Sequence, residues 1–431
     1  MFNDPKYCIE LKLIQQTPMI HFQAYGGMTM GIGPRATEVK PKLDCFAQQW
    51  YTRNNPGETI PIEWMVEYDE KKHVNGKKPE HQALNYLMRI TAPSSMPRTG
   101  DPKEESRYIY FGTADNNKRY QVFNPEPLTL YIRCFIPELK SLLEECLPTF
   151  FLMHNFGLRQ NKGLGGFITS GMTAECAENL LRSWIRDNAV GVIDYSQKDL
   201  STEEIDDGNL WTKEIGIIYK LLKSGVNFQG NYVKSALTEY FLQSEHGGII
   251  GEKHAMKAKG IAPVVITNRV NTAIPTVPKH NIRDERYIRG LFGYGQAQSW
   301  FSADKKHRKY KVTDKRGRLV DARDTIRVSP ENKEIKRVPS PLLFKVVGRC
   351  IFIIPGDIDV YEEPFVFSSD INGRNNRLSL NVPSKNEFDM DDFMRWFIRW
   401  LDNRDGSMRD QLTGGIPHEF EDDMVEIRCL H

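Results

Sequence analysis

The segment Asn155–Phe167, NFGLRQNKGLGGF, places four glycines (Gly157, Gly163, Gly165 and Gly166) and two cations (Arg159 and Lys162) within thirteen residues. Glycine admits positive φ angles and close backbone approach, so its N–H groups can converge on an anion. Arg159 and Lys162 lie where they could reach phosphate oxygens. The spacing is not that of a nucleotide-binding P-loop, because Lys162 precedes Gly163 and no Ser or Thr follows. Nor does a Gly-x-Gly-x-x-Gly pattern follow a strand. The chemistry on offer is phosphate-backbone binding; the same glycines would equally serve a tight turn between elements.

Other residues allow related chemistry. In GIGPRATEVKPKLD, the cations Arg35, Lys40 and Lys42 stand at the start of a helix, where a backbone phosphate can bind; the plainer reading is a solvated helix start. Eight Lys or Arg fall between Lys305 and Arg318 against Asp304 and Asp314, which reads as a solvated hairpin or as a sequence-blind, salt-sensitive contact to nucleic acid. Asp389, Asp391 and Asp392 precede an apolar helical stripe and read as a capped helix start, not as metal ligands. His21 and His154 could each act as a general base for RNA cleavage through the 2′-hydroxyl, but no second residue pairs with either by spacing, and a structural or RNA-contacting role is the simpler assignment. Signatures of serine hydrolases, zinc proteases and kinases are absent. The seven cysteines include no Cys-x-x-Cys pair, which excludes a zinc ribbon. No catalytic residue, metal site or cofactor is expected.

These residues need elements to position them. Tyr7–Phe22 reads as a strand, with Ile9, Leu11 and Leu13 alternating with Cys8, Glu10 and Lys12. PKLDCFAQQWY reads as a helix with Pro41 at its first position and Leu43, Phe46 and Trp50 on one face. HQALNYLMRITAP and SRYIYFGT suggest strands around a polar loop, and PLTLYIRCF a further strand. The helix PELKSLLEECLPTFFLMHNF, kinked or ended by Pro148, leads into the glycine-rich loop. TAECAENLLRSWIRDN is amphipathic. From Ser201 the pattern changes to helices (WTKEIGIIYKLLKSG and NYVKSALTEYFLQS), a Gly-, Arg- and Lys-rich middle, the strand-like SPLLFKVVGRCIFIIP, the helix DMDDFMRWFIRWLD and a strand-like tail. This order predicts an α+β fold of ferredoxin-like kind, not a doubly wound sheet. Two domains are expected, over residues 1–205 and 206–431.

The whole chain bounds the reading. Its 431 residues are 40% hydrophobic and 26% charged with a formal net charge of +2, so any nucleic-acid surface must be a local patch. No stretch of the sequence is long and apolar enough for a membrane span, and the scattered cysteines suggest reduced thiols in the cytoplasm.

Taken together, TPMIHF (Thr17–Phe22), PRATEVKPKLD (Pro34–Asp44), GLRQNKGLGGF, IRGLFGYG (Ile288–Gly295) and RVPSPLLFKVV (Arg337–Val347) resemble the RAMP superfamily of CRISPR-associated proteins. Within it the chain is most similar to the large two-domain, first-named subunit of the type III-B Cmr effector complex. The resemblance implies tandem ferredoxin-like (RRM-like) domains with helical insertions, no catalysis, and a place in an RNA-guided antiviral complex with guide RNA, target RNA and other subunits as partners. It implies RNA contacts from Arg35, Lys40, Lys42, Gly157, Arg159, Asn161, Lys162, Gly163, Gly165 and Gly166. The alternatives are a RAMP endoribonuclease using His21 or His154 with Lys162, and a protein–protein scaffold whose glycine loops are turns.

Overall fold

Strand β1 (Cys8–Gln15) buries Ile9 and Leu13 and exposes Glu10 and Lys12, the period-two pattern of a strand with one wet face. It lies inside a four-stranded antiparallel sheet with β2 (Leu87–Thr91), β3 (Leu128–Arg133) and β4 (Phe167–Thr169), in the order β2-β3-β1-β4. Ile9 pairs with Ile132 and Leu13 with Leu128, while Ile90 pairs with Leu130 across β2 and β3. Helix α1 (Ala36–Asn54) falls between β1 and β2, and α2 (Pro137–Met153) between β3 and β4. That connectivity and strand order define a ferredoxin-like ladder. The molecule is described by a computed structural model over residues 4–20, 33–66, 68, 83–93, 98–99, 121–200, 209–228, 231–243, 248–258, 284–294, 311–313, 319–321, 326–332, 338–358, 363–371, 374–402 and 425–430. His21, the segment SRYIYFGT and most of the basic run 305–318 lie outside these residues.

Two prolines behave differently from the sequence expectation. Helix α1 starts at Ala36, not at Pro41, which sits inside it. The Arg35 carbonyl accepts the N–H groups of Glu38 and Val39, both at 2.9 Å, and Val39 is fully buried, so the first turn is secured upstream of the proline. Pro148 likewise lies within α2, which runs on to Met153. An interior proline costs about 3 kcal/mol. Beyond it Phe150, Phe151 and Leu152 are fully buried, each worth roughly 1.5–3 kcal/mol, so packing outweighs the lost hydrogen bond. The core under this sheet joins Val39, Leu43, Phe46 and Ala47 of α1 to Leu139, Leu143, Cys146 and Phe150 of α2.

The same strand order recurs. Strands β5 (Val190–Asp194), β6 (Leu342–Val347), β7 (Cys350–Pro355) and β8 (Glu426–Leu430) form a second sheet in the order β6-β7-β5-β8. Register pairs Phe352 with Val192 and Ile427 with Ile193. Helix α3 (Ala174–Trp184) precedes this sheet, its start capped by Thr173 Oγ1, which accepts the Cys176 N–H at 3.1 Å. Ala177 and Leu181 of α3 share a core with Val192, Phe352 and Ile354 and with Leu152 and Ile168 of the first ladder. In chain order, helix α4 (Asn209–Lys223) separates β5 from β6, and a helix at Met390–Asp402 separates β7 from β8. The expected α+β fold with tandem ferredoxin-like connectivity is therefore present.

The chain divides into two compact units: Met1–Ile217 with Leu343–Ile354 and Asp423–His431, and Ile218–Leu342 with Pro355–Asp422. The second unit contains helices α5 (Ala236–Leu242), α6 (Glu252–Ala258) and α7 (Met390–Asp402) and a three-stranded sheet of Arg327–Pro330, Phe365–Ile371 and Arg374–Leu380. The sequence pattern predicts one helix over NYVKSALTEYFLQS (231–244). Instead Val226–Phe228 and Asn231–Val233 pair as a hairpin, and α5 begins only after Ser235, whose Oγ accepts the Thr238 N–H. Helix α7 buries Phe393, Phe397, Trp400 and Leu401. Asp389 Oδ1 accepts the Asp392 N–H at 2.8 Å, so this aspartate acts as the expected cap.

Candidate functional site

The glycine-rich loop starts where α2 ends and closes at its base through an antiparallel bridge between Asn155 and Gly166. Gly157, Gly163 and Gly165 hold positive φ angles of 82°, 76° and 71°. Two of these positions admit nothing but glycine. A Cβ on Gly165 would lie 1.8 Å from the Phe156 carbonyl oxygen, and one on Gly157 would lie 2.6 Å from the Ile20 carbonyl oxygen. Among the described residues Arg159 is the one non-glycine with positive φ, at 59°. A left-handed arginine costs on the order of 1–2 kcal/mol, a strain that the surrounding structure must sustain. It introduces the 3-10 turn Gln160–Lys162.

Thr17, fully buried, stitches this loop to the end of β1. Its hydroxyl donates to the Gly163 carbonyl at 2.5 Å and accepts the Gly166 N–H at 2.8 Å. The Gly165 N–H donates to Pro18 O (2.8 Å), the Gly163 N–H to Gln160 O (3.1 Å) and the Gly157 N–H to Glu38 Oε1 (2.9 Å). The expectation that these glycine amides converge on an anion is therefore corrected: each is donated to a protein acceptor, because a loop this closely packed must satisfy its own backbone. What the loop offers a phosphate is its side chains.

Those side chains divide into groups. Arg159 and Asn161 are half-buried and Lys162 is exposed. Lys42 joins the loop from α1: its Nζ donates to Gln160 Oε1 at 2.8 Å and Asn155 O at 3.3 Å and lies 3.5 Å from Glu38. Burial pushes the Lys42 pKa below its usual value, with Glu38 opposing. Lys40 is directed elsewhere. Its Nζ bonds Leu84 O at 2.8 Å, pairs with Asp44 at 3.0 Å and lies 3.9 Å from the centre of the Tyr86 ring. Arg35, exposed, sits immediately before α1. The structure thus brings Lys42 to the loop and gives Lys40 a structural bond network of its own.

His154 is built into the core. Its Nδ1 lies 2.9 Å from Phe150 O and must carry the proton, since a carbonyl only accepts. The ring lies 4.6 Å from that of Phe150 and 5.6 Å from that of Phe46. Burial pushes its pKa down to about 4, a value at which it is a weak base near neutral pH.

Four residues around the loop escaped the sequence reading. Glu38 accepts from Gly157 and from Gln160 Nε2 (3.1 Å). Asn155 Nδ2 donates to Gln160 O (2.8 Å) and Phe344 O (2.9 Å). Lys345 is completely buried; its Nζ donates to His154 O (2.9 Å) and Asn155 Oδ1 (3.1 Å), and burial holds its pKa well below the ordinary lysine value. Thr17 is the fourth. A lone cation inside LLFKVV was the one signal that could have marked Lys345, because a strand interior tolerates lysine only with dedicated acceptors. Among the described residues no group of three or more His, Cys, Asp or Glu side chains is placed to hold a metal, and no helix is long and apolar enough to cross a membrane.

Two ferredoxin-like ladders, with a cationic glycine-rich loop after the second helix of the first, define an α+β protein. The Cmr1 N-terminal domain model matches residues 6–226 and the Cmr1 C-terminal domain model matches residues 232–416; the chain belongs to the Cmr1 family. That family is a subunit family of the type III-B Cmr complex, so the resemblance read from the sequence is borne out. A crystal structure of Cmr1 from Pyrococcus furiosus in its apo form is similar over 86% of this chain and 94% of that chain, at 10% identity and a TM-score of 0.33. Comparison with curated proteins finds no match.

Proposed function

We propose that this chain is a non-catalytic RNA-binding subunit of a type III-B CRISPR effector complex, contacting the backbone of guide RNA or of the guide–target duplex. The observation that carries the reading is Arg159, held in a left-handed conformation within a cationic loop. Such strain persists only where the fold over-determines it, and it is concentrated at binding and switch sites. Lys42, bonded to the same loop, adds a further cation from α1. A protein that meets RNA already paired with a guide needs backbone contacts and shape, not a base code. Guide RNA, target RNA and neighbouring Cmr subunits are the partners this role requires.

The lack of catalysis belongs to the same proposal. A histidine with a pKa near 4, its Nδ1 proton committed to Phe150 O, is poorly suited to activating a 2′-hydroxyl. Incubating the purified chain with single-stranded RNA in the absence of divalent metal tests this. Retention of intact RNA is expected. Cleavage that disappears in a His154→Ala variant would overturn the reading in favour of an endoribonuclease.

A further inference from the structure

The first ladder has a second face. Helices α1 and α2 cover one side of the sheet, where Ile9, Leu13, Leu130 and Ile132 are buried. On the other side, Tyr131 of β3 stands opposite Arg89 of β2 and Glu10 of β1. Two residues along, Arg133 stands opposite Leu87 and Cys8. Directly paired residues share a face, and residues two apart on one strand share it too. Leu87 and Phe135 are each 66% exposed and Tyr131 is 41% exposed; these are the exposed large apolar side chains among the described residues. Lys12 lies in the next row, its Nζ 2.8 Å from Thr129 Oγ1 and 3.7 Å from Glu10. Among the described residues of these strands, the face therefore carries Arg89, Arg133 and Lys12 against Glu10. Beyond β3, the Phe135 ring lies 5.5 Å from that of Tyr7, which has Lys6 Nζ 5.4 Å from its centre.

We infer that this open sheet face binds single-stranded RNA, with Tyr131 stacking a nucleobase while Arg89 and Arg133 hold the flanking phosphates. The inference rests on the RNA-binding reading of the glycine loop and deepens it, since the loop contacts backbone whereas the face would need bases. An aromatic ring on an inner strand, with a guanidinium opposite it and another two residues along, supplies the two ingredients of sequence-tolerant single-strand binding: a stacking platform and positive charge. The net positive balance complements a polyanion. A hydrophobic protein partner would leave these cations to be desolvated without a match.

Binding of a labelled oligouridylate to the full chain, beside a strand of equal length made entirely of abasic nucleotides, tests it. Tyr131→Ala is expected to weaken the base-bearing strand by about five- to a hundredfold and to leave the abasic strand unchanged. Tyr131→Phe, which keeps the ring, is expected to bind both strands as the wild type does. The Arg159→Ala/Lys162→Ala variant is expected to weaken both strands alike. If Tyr131→Ala weakens neither strand, or both equally, while the loop variant still loses affinity, the stacking face is refuted and the loop reading stands. If the wild type binds neither strand, the RNA-binding reading falls and the stacking proposal falls with it.

Discussion

Replacing Gly165 by alanine, beside the same change at Gly171, isolates the close packing on which the loop depends. Both glycines have positive φ, 71° and 84°, so the backbone cost of about 1–2 kcal/mol and the gain from a stiffer unfolded chain nearly cancel between the two variants. Their surroundings differ. A Cβ on Gly171 meets nothing within 4 Å, whereas one on Gly165 falls 1.8 Å from the Phe156 carbonyl oxygen. A backbone oxygen cannot rotate away, so the loop must open. Opening sacrifices the hydrogen bonds from Phe156 N–H to Gly165 O (2.9 Å) and from Gly165 N–H to Pro18 O (2.8 Å), worth about 1 kcal/mol each. It also loosens Phe156, fully buried between Phe151 and Phe167, for roughly another 1–2 kcal/mol. Gly165→Ala should therefore be about 3–4 kcal/mol less stable than Gly171→Ala. Urea denaturation at neutral pH, followed by circular dichroism and by proteolysis of the opened state, measures the difference. Coincident midpoints for the two variants would refute the packing described for this loop.

Three further outcomes follow from the same geometry. Thr17→Val should cost about 2–4 kcal/mol by leaving the Gly163 carbonyl and the Gly166 N–H unpaired in the core, while Thr17→Ser retains most of the stability; urea midpoints of the pair decide it. Because His154 is held neutral, with its pKa lowered from 6.5 to about 4, its contribution is fully present above pH 6.5 and is lost as pH falls toward 4. The difference in thermal midpoint between wild type and His154→Gln should shrink across that window, and a constant difference would contradict the burial argument. On the second ladder Arg428 joins Glu178 of α3, Asp194 of β5 (3.1 Å) and Glu426 (3.2 Å). Arg428→Met should destabilise by about 1–2 kcal/mol at neutral pH and by less in acid, where the carboxylates protonate, as urea midpoints at the two pH values would report.

The local elements were largely legible. Alternation marked β1, and a three-to-four spacing of apolar residues marked α1, α2, α3 and α7. Each is a short-range pattern set by side-chain periodicity. The prolines misled because interior cost was weighed without the burial that offsets it, of Val39 for Pro41 and of Phe150 and Phe151 for Pro148. The candidate loop was legible in its glycines and cations. Its wiring was not, because Thr17 and Gly163, or Asn155 and Lys345, meet across large sequence separations that no local pattern encodes. The glycines were read as donors to an outside anion when they are spaced to let the chain approach itself.

The proposed role of Arg159 and Lys162 on this loop is to clamp the RNA backbone. It is tested most directly by measuring single-stranded RNA affinity of the wild type and of Arg159→Ala/Lys162→Ala across a salt series. Each phosphate neutralised contributes about 0.7 to the slope of log affinity against log salt for a single strand. The account expects the double variant to bind more weakly, with a slope shallower by about one to two units. Equal affinity and equal slope for the two proteins would contradict it and leave the glycine-rich loop as a structural turn.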